Sequence, residues 1–92
     1  MKVKHLNLTA GAVVTAEFEV KSSAFLVKNF TGGDIKVCLG EGMTENYVTI
    51  PSKSFEVIEK AFVSSATEAY TDKVTIEASM EGNVEIRAIQ CS

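Results

Sequence analysis

The chain contains no tryptophan, one histidine, one proline and two cysteines among its 92 residues. Every imidazole-based mechanism, from a Ser-His-Asp triad to a Cys-His pair, would therefore have to use His5, which lies close to the chain terminus. Terminal side chains are usually held poorly in place. One histidine and two distant cysteines cannot supply the three or four clustered ligands of a zinc site. We therefore expect no catalytic residue, no metal, no cofactor and no enzymatic activity.

Long apolar runs and an excess of positive charge are also missing. Apolar stretches such as Ala24–Val27 fall far short of the ~20 residues that cross a bilayer, and no secretory signal is visible behind the first residues. Nine basic residues are scattered among twelve acidic ones, which gives a net charge of −3. Nucleic-acid-binding proteins usually present a basic face or stripe. The sequence therefore predicts neither a membrane nor a nucleic acid as partner.

Turn residues interrupt the chain about every ten residues, and the runs between them are rich in Val, Ile, Phe and Thr, which favour strands. This spacing is typical of a β-sandwich or barrel. We predict one all-β domain over residues 1–92, a small antiparallel β-sandwich of jelly-roll or Ig-like type with seven or eight strands and at most one short helical turn. The predicted strands cover residues 2–9, 13–20, 24–30, 34–39, 46–50, 54–62, 73–80 and 84–90.

The clearest strand pattern is the strict polar–apolar alternation over 73–80, which resumes over 84–88. Because strand side chains alternate between two faces, Val74, Ile76 and Ala78 should point inward. The intervening Glu81–Asn83 segment fits a three-residue turn, so the pattern predicts an antiparallel hairpin. In this hairpin Met80 would point inward, opposite a valine of the next strand.

Two other runs leave alternatives open. The run 24–30 is apolar on both faces, which indicates either a central strand or one covered by a neighbouring subunit, and Phe25 and Val27 are candidate interface residues in the second case. Apolar residues over 54–63 recur at helical as well as strand spacing, and we favour the strand. A capping-box pattern at 65–68 predicts a single helical turn within the 64–72 loop.

Other chemical signals have simpler structural explanations. Cys38 and Cys91 are interpreted as two separate thiols, with a disulfide as the alternative, and Cys38 should lie outward or half covered. The acidic residues of 40–46 lack the spacing of an EF-hand, and the glycines at 32–33 and 40–42 lack the context of a phosphate-binding loop. Carboxylate pairs of the kind that glycosidases use are explained by a solvated strand face; these pairs are Glu17 with Glu19 and Glu56 with Glu59.

Three stretches carry a family resemblance. Phe25–Val37 has the pattern of a strand, a KN-F-T-x-GD turn and a second strand. Val48–Ile58 contains an IP-turn-S-x-x-VI element, and Gly82–Arg87 is the third stretch. Together these stretches cover about a third of the chain. They resemble small structural proteins of tailed bacteriophages and prophages, which act as scaffolds rather than through an active site. The resemblance implies a β-sandwich homo-oligomer in a virion, made in the bacterial host cytoplasm and placed on the head, neck or a fibre.

The resemblance, together with the lack of a catalytic set, implies a non-enzymatic virion protein that docks with its own copies and with other virion proteins. The alternative is a bacterial Ig-like or carbohydrate-binding module that contacts its ligand through the loops carrying Tyr47, Tyr70 and the acidic residues of 40–46. Both tyrosines are therefore candidate interface residues as well. The lack of tryptophan, a common sugar-stacking residue, counts against the alternative.

Overall fold

Eight strands form two four-stranded antiparallel sheets in the computed structural model, which describes residues 2–59 and 70–90. Sheet A has the order β1-β8-β3-β6, and sheet B has the order β2-β7-β4-β5. The described residues contain no helix. The strands are β1 (Val3–Leu8), β2 (Val13–Ser22), β3 (Ala24–Asn29), β4 (Ile35–Leu39), β5 (Val48–Ile50), β6 (Phe55–Glu59), β7 (Thr71–Ala78) and β8 (Gly82–Ala88).

The strand pairing follows a single rule that identifies the type of sandwich. β1 pairs with β8, β2 with β7, β3 with β6, and β4 with β5, all antiparallel. A long antiparallel hairpin rolled up into two facing sheets has this pairing, and it is the jelly-roll arrangement. The predicted all-β antiparallel sandwich is confirmed, and the strand order selects the jelly roll over the Ig-like alternative.

The predicted β7–β8 hairpin is wrong. The two strands lie in opposite sheets, and the segment between them crosses from sheet B to sheet A. Met80 belongs to this crossing segment and is 51% exposed, so its predicted inward orientation is wrong as well. The alternation correctly indicated which side chains are buried. It could not show that the chain changes sheet between the two runs, because a strand's inner face has the same spacing in either sheet.

Both runs with open alternatives form strands within the described residues. β3 lies between β8 and β6, so the run that is apolar on both faces is a central strand. Residues 55–59 form a strand, as favoured over a helix. The remainder of that run, residues 60–63, lies outside the described residues, and so does the predicted helical turn at 65–68.

The core lies between the inner faces of the two sheets. Phe25 and Val27 of β3 are completely buried there, and the Phe25 ring packs against Phe18 of β2 with 5.4 Å between ring centroids. This aromatic contact joins sheet A to sheet B. The remaining buried apolar side chains are mainly β-branched or aliphatic and include Ile35, Val37, Ile50, Val74, Ile76, Val84 and Ile86.

A buried polar cluster, formed by Asn29, Thr31 and the carbonyl groups that they bond, lies at one end of the sandwich. The Asn29 amide donates to the carbonyl oxygens of Gly33 at 2.9 Å and Ile50 at 3.0 Å. Its oxygen accepts from the Thr31 N–H at 2.9 Å and the Thr31 hydroxyl at 2.7 Å. Both side chains are almost fully buried, so these bonds replace the water contacts that folding removes. One amide therefore connects the β3–β4 segment with the end of β5.

Two further sheet-crossing segments, β5–β6 and β7–β8, pack directly onto this cluster. The hydroxyl of Ser52, between β5 and β6, donates to the Thr31 carbonyl. Gly82, which begins β8, has φ +147°, and a Cβ atom there would lie 2.6 Å from the Thr31 Cα. A Cβ at Gly33 would lie 2.6 Å from the Ser79 hydroxyl oxygen. The glycines therefore allow the 79–82 segment to approach the β3–β4 segment closely.

We expect Asn29→Ala to lower the free energy of unfolding by about 2–4 kcal/mol, because the buried Thr31 N–H and the Ile50 carbonyl lose their bonds to the Asn29 side chain. For a domain of this size the loss corresponds to a fall in Tm of at least about 10 °C. Thermal unfolding followed by circular dichroism measures the effect. Asn7→Ala, at an exposed position of β1, is the control. Equal melting temperatures for the two variants would contradict the structural role of the polar cluster.

We expect Gly82→Ala to destabilise the protein by at least about 1–3 kcal/mol more than Gly11→Ala, because only Gly82 combines positive φ with a close neighbour. Gly11 has φ +81°, and no atom lies within 4 Å of the place that its Cβ would take. Both substitutions carry backbone strain, so their difference isolates the steric contact with Thr31. Urea denaturation of the two variants measures this difference, and equal midpoints would refute the close packing.

Candidate interaction surface

The outer face of sheet A carries four apolar side chains that lie on the central strand β3, on the edge strand β6 and just beyond β3. Val57 stands beside Leu26, and Phe55 stands beside Lys28 in the β3–β6 register. Phe30 follows two residues after Lys28, diagonal to Phe55. Phe55 is 70% exposed, and Val57 and Phe30 are each about half exposed. We call Leu26, Phe30, Phe55 and Val57 the hydrophobic patch.

An ion cluster occupies the neighbouring strands of the same face. Glu85 of β8 lies 3.3 Å from the Arg87 guanidinium, 3.7 Å from the Lys28 ammonium and 3.9 Å from the His5 imidazole. The Glu85 side chain is only 16% exposed, which strengthens these contacts relative to fully solvated pairs. The cluster draws the Lys28 ammonium toward β8 and away from Phe55. The hydrophobic patch is therefore bordered by charge without being divided by it.

A shallow groove runs beside the ion cluster on the same face. Its lining includes the Phe30 ring together with His5, Asn7, Asn83 and Glu85. An aromatic ring beside amide, imidazole and carboxylate groups offers both a stacking face and hydrogen-bonding partners. This combination suits a polar ligand with an apolar face.

The outer face of sheet B is different, because the β4–β5 connection folds over it. The Thr75 hydroxyl donates to the Gly40 carbonyl at 2.9 Å and accepts from the Gly42 N–H at 2.8 Å. The Cys38 thiol accepts from the Thr44 N–H at 3.4 Å. These contacts hold the connection against the sheet and cover residues that strand alternation places on the outer face.

The prediction for Cys38 is therefore right about direction and wrong about exposure. Its side chain points to the outer face of sheet B, but it is a free thiol with only 2% exposure. No local pattern around Cys38 indicates that the next segment folds back over the strand. Cys91 lies outside the described residues.

The four candidate interface residues separate into two groups. Phe25 and Val27 are fully buried between the sheets, so they are core residues and offer nothing to a partner. Tyr47 and Tyr70 are about 40% exposed. The Lys36 ammonium lies 4.9 Å from the centre of the Tyr47 ring and occupies one face of it. Tyr70 directly precedes β7.

Phe55 and Val57 are surface residues that sequence reasoning missed, although a signal was present. A strand over 55–59 places Phe55 and Val57 on one face and Ile58 on the other, so one of the two apolar faces had to point outward. The same alternation puts Glu56 and Glu59 on opposite faces, so they form no carboxylate pair.

The other predicted carboxylate pair agrees with a solvated strand face. Glu17 forms an ion pair of 3.5 Å with Lys73 of the neighbouring strand. A hydrogen bond to Asp72, the charge of Asp72 and the charge of Glu17 together raise the pKa of the Lys73 ammonium above its usual value. Because the cause of this shift is neighbouring carboxylates on an exposed strand, it indicates surface ion pairing and no chemistry of its own.

Over residues 2–59 and 70–90, no group of three or more histidine, cysteine or acidic side chains is placed to hold a metal ion. In the same part of the chain, no helix has the length and hydropathy needed to cross a membrane. Comparisons of the chain with protein-family models, with curated proteins and with solved structures found no match.

We expect Phe55→Ala to change the free energy of unfolding by no more than about 0.5 kcal/mol, since a largely exposed side chain loses little packing. Phe25→Ala should cost about 3–5 kcal/mol, because it opens a cavity between the sheets. Urea denaturation at low protein concentration compares the two variants. A large loss of stability for Phe55→Ala would show that the ring supports the fold of the single chain and is not a free contact surface.

Proposed function

We propose that this protein is a non-enzymatic structural component of a tailed-phage or prophage virion, acting as a head-decoration, neck or fibre module. It binds its own copies and other virion proteins through the hydrophobic patch. The observation that carries the proposal is the exposure of Phe55 and Val57 side by side on an edge strand. A monomeric protein gains nothing in solution from two such side chains, whereas an assembling protein buries them at each contact.

The fold and the sequence add support of different kinds. Jelly rolls recur in viral capsid proteins, although one fold serves many functions, so this support is an analogy. The resemblance to small phage structural proteins includes the 25–37 and 48–58 stretches. These stretches contain the buried polar cluster and much of the hydrophobic patch. Synthesis in the bacterial host cytoplasm followed by incorporation into the particle is part of the same proposal.

The test is the protein content of particles. We expect mass spectrometry of density-purified particles, from an induced culture of the bacterium that carries the gene, to detect this chain in a fixed ratio to the major capsid protein. A host cytoplasmic protein of similar abundance serves as the control for carry-over. Particles that contain the other structural proteins but lack this chain would refute the proposal.

A second candidate function is carbohydrate binding, which the Phe30 groove favours. Sugar rings stack on exposed aromatic faces, and the amides of Asn7 and Asn83 and the carboxylate of Glu85 could bond hydroxyl groups. Tyr47 is less suited to stacking than expected from the sequence, since the Lys36 ammonium occupies one of its faces.

We expect any glycan-array signal to be lost in Phe30→Ala and kept in Tyr47→Ala. The reverse result would place the sugar site at the β4–β5 connection. Absence of binding to any glycan would exclude carbohydrate binding as the second candidate function.

A further inference from the structure

We propose that two copies of this chain pair their β6 strands antiparallel, about a twofold axis through Val57, so that two A sheets join into one continuous eight-stranded sheet. This inference rests on the self-association in the proposed function and specifies its surface and register. The occupant of the β6 edge is thus a second copy of the chain. Three features support it: the direction of the backbone groups, the charges along the strand and the side chains that meet.

Every second residue of β3 points its backbone N–H and C=O groups toward β6. Both backbone groups of Asn29 bond to the chain on the β6 side. The Asn29 N–H donates to the Ser54 carbonyl at 2.8 Å, and the Asn29 carbonyl accepts from the Lys53 N–H at 2.9 Å. Its neighbour Phe30 bonds to Asn83 on the β8 side at 2.9 Å, and the Ala24 carbonyl accepts from Ile89 on that side at 3.1 Å. Odd-numbered residues of β3 therefore face β6.

The register then assigns the free groups of β6. Val27 and Phe25 direct their backbone groups toward β6 and stand opposite Glu56 and Ile58. The backbone groups of Glu56 and Ile58 are therefore already hydrogen-bonded to β3. The backbone N–H and C=O groups of Phe55, Val57 and Glu59 point to the other side. Within residues 2–59 and 70–90, no strand pairs with that side of β6. This edge offers three residues with both backbone groups ready for a new strand.

Only some antiparallel registers let two such edges meet. Pairing requires that residues of the same face stand opposite each other, so Val57 can oppose Val57, Phe55 can oppose Val57, or Val57 can oppose Glu59. The first of these registers alone pairs all three free residues of one copy with those of the other, whereas the third pairs only Val57 and Glu59. In the second register Glu56 stands directly opposite the Glu56 of the second copy. Like charges in that position are destabilising. Extension of the second register beyond Phe55 would also require Lys53, whose φ of +63° is incompatible with a strand.

The register centred on Val57 avoids both problems. Phe55, Val57 and Glu59 then oppose Glu59, Val57 and Phe55 of the second copy, and all three pairs can exchange backbone hydrogen bonds. Glu56 stands opposite an isoleucine, and no two carboxylates face each other. The axis through Val57 makes the contact self-complementary, as a closed dimer of identical subunits requires.

The same register joins the two hydrophobic patches. Leu26 and Val57 of one copy continue into Val57 and Leu26 of the other, which gives one apolar row across the new sheet. Arg87 borders this row at both ends, because it stands beside Leu26 in β8. Each Phe55 lies diagonal to the Val57 of the second copy, within reach of an aromatic side chain. Pairing thus brings the two most exposed apolar side chains of β6 into contact with those of the second copy.

Disulfide cross-linking tests the register. Val57→Cys and Glu56→Cys are each made with Cys91→Ser, and each protein is oxidised with diamide, which takes up the two protons and two electrons that two thiols release. Residues on the twofold axis approach closely enough for a disulfide. We expect a covalent dimer on non-reducing gels for Val57→Cys and none for Glu56→Cys. Cys91→Ser alone controls for Cys38, which is buried.

A pair of matched lysine variants tests the surface independently. We expect Val57→Lys to raise the concentration at which half the protein is dimeric at least about tenfold, equivalent to about 1.4 kcal/mol, since two ammonium groups would face each other on the axis. Val13→Lys is the control because Val13 is also a valine on an edge strand, 53% exposed against 51% for Val57, but lies on β2 of the other sheet. Size-exclusion chromatography with light scattering measures the mass.

Each outcome decides the inference. A monomer at all concentrations, equal effects of the two lysine variants, or cross-linking of Glu56→Cys rather than Val57→Cys would overturn it. A protein that is found in particles but fails these tests would keep the proposed function and lose the β6 dimer. A protein that passes them but is absent from particles would keep the dimer and lose the virion role.

Discussion

The buried amide of Asn29 is the interaction on which the arrangement of the sandwich depends. Consecutive strands of a jelly roll often lie in different sheets, so the chain must cross between the sheets repeatedly without leaving backbone groups unpaired. Asn29 bonds the segment that follows β3 and also the Ile50 carbonyl at the end of β5. Gly82 brings a third segment against Thr31. Three crossings are thereby fixed to one another, and the ends of both sheets are fixed with them.

Local alternation was sufficient to predict the strands and most of the core, because the period of two depends only on which face is buried. It correctly placed Val74, Ile76 and Ala78 inward and favoured a strand at β6. It could not assign strands to sheets. The 81–83 segment has the composition of a hairpin turn, yet Gly82 is there because its neighbour is Thr31, 51 positions earlier in the chain. A contact between residues so far apart in the chain produces no periodic pattern in the sequence.

The candidate surface was predictable only in part, for a related reason. Exposure depends on what folds over a strand as well as on its direction, so Cys38 points outward and is nevertheless covered by the β4–β5 connection. The apolar character of both faces of β3 suggested Phe25 and Val27 as contacts, whereas the outward apolar side chain of that strand is Leu26. Phe55 and Val57 do lie at the surface; they share one face of β6 and Ile58 lies on the other, and alternation alone does not say which of the two faces is buried.

The four edges of the two sheets differ in how well they resist pairing with another chain. β2 carries a register irregularity and two glutamates, β5 has only three residues, and β1 presents the polar side chains of His5 and Asn7 on its outer face. Bulges, short strands and charges are the usual protections of a sheet edge. β6 also carries two glutamates, but over its five residues it shows no register shift and presents the exposed Phe55 and Val57 on its outer face. The Asn29 backbone holds Ser54, the residue before β6, in place. An edge that is held in place, exposes apolar side chains and pairs with no other strand of residues 2–59 and 70–90 costs a solitary protein solubility, and a contact that uses the edge explains its presence beside three better protected edges.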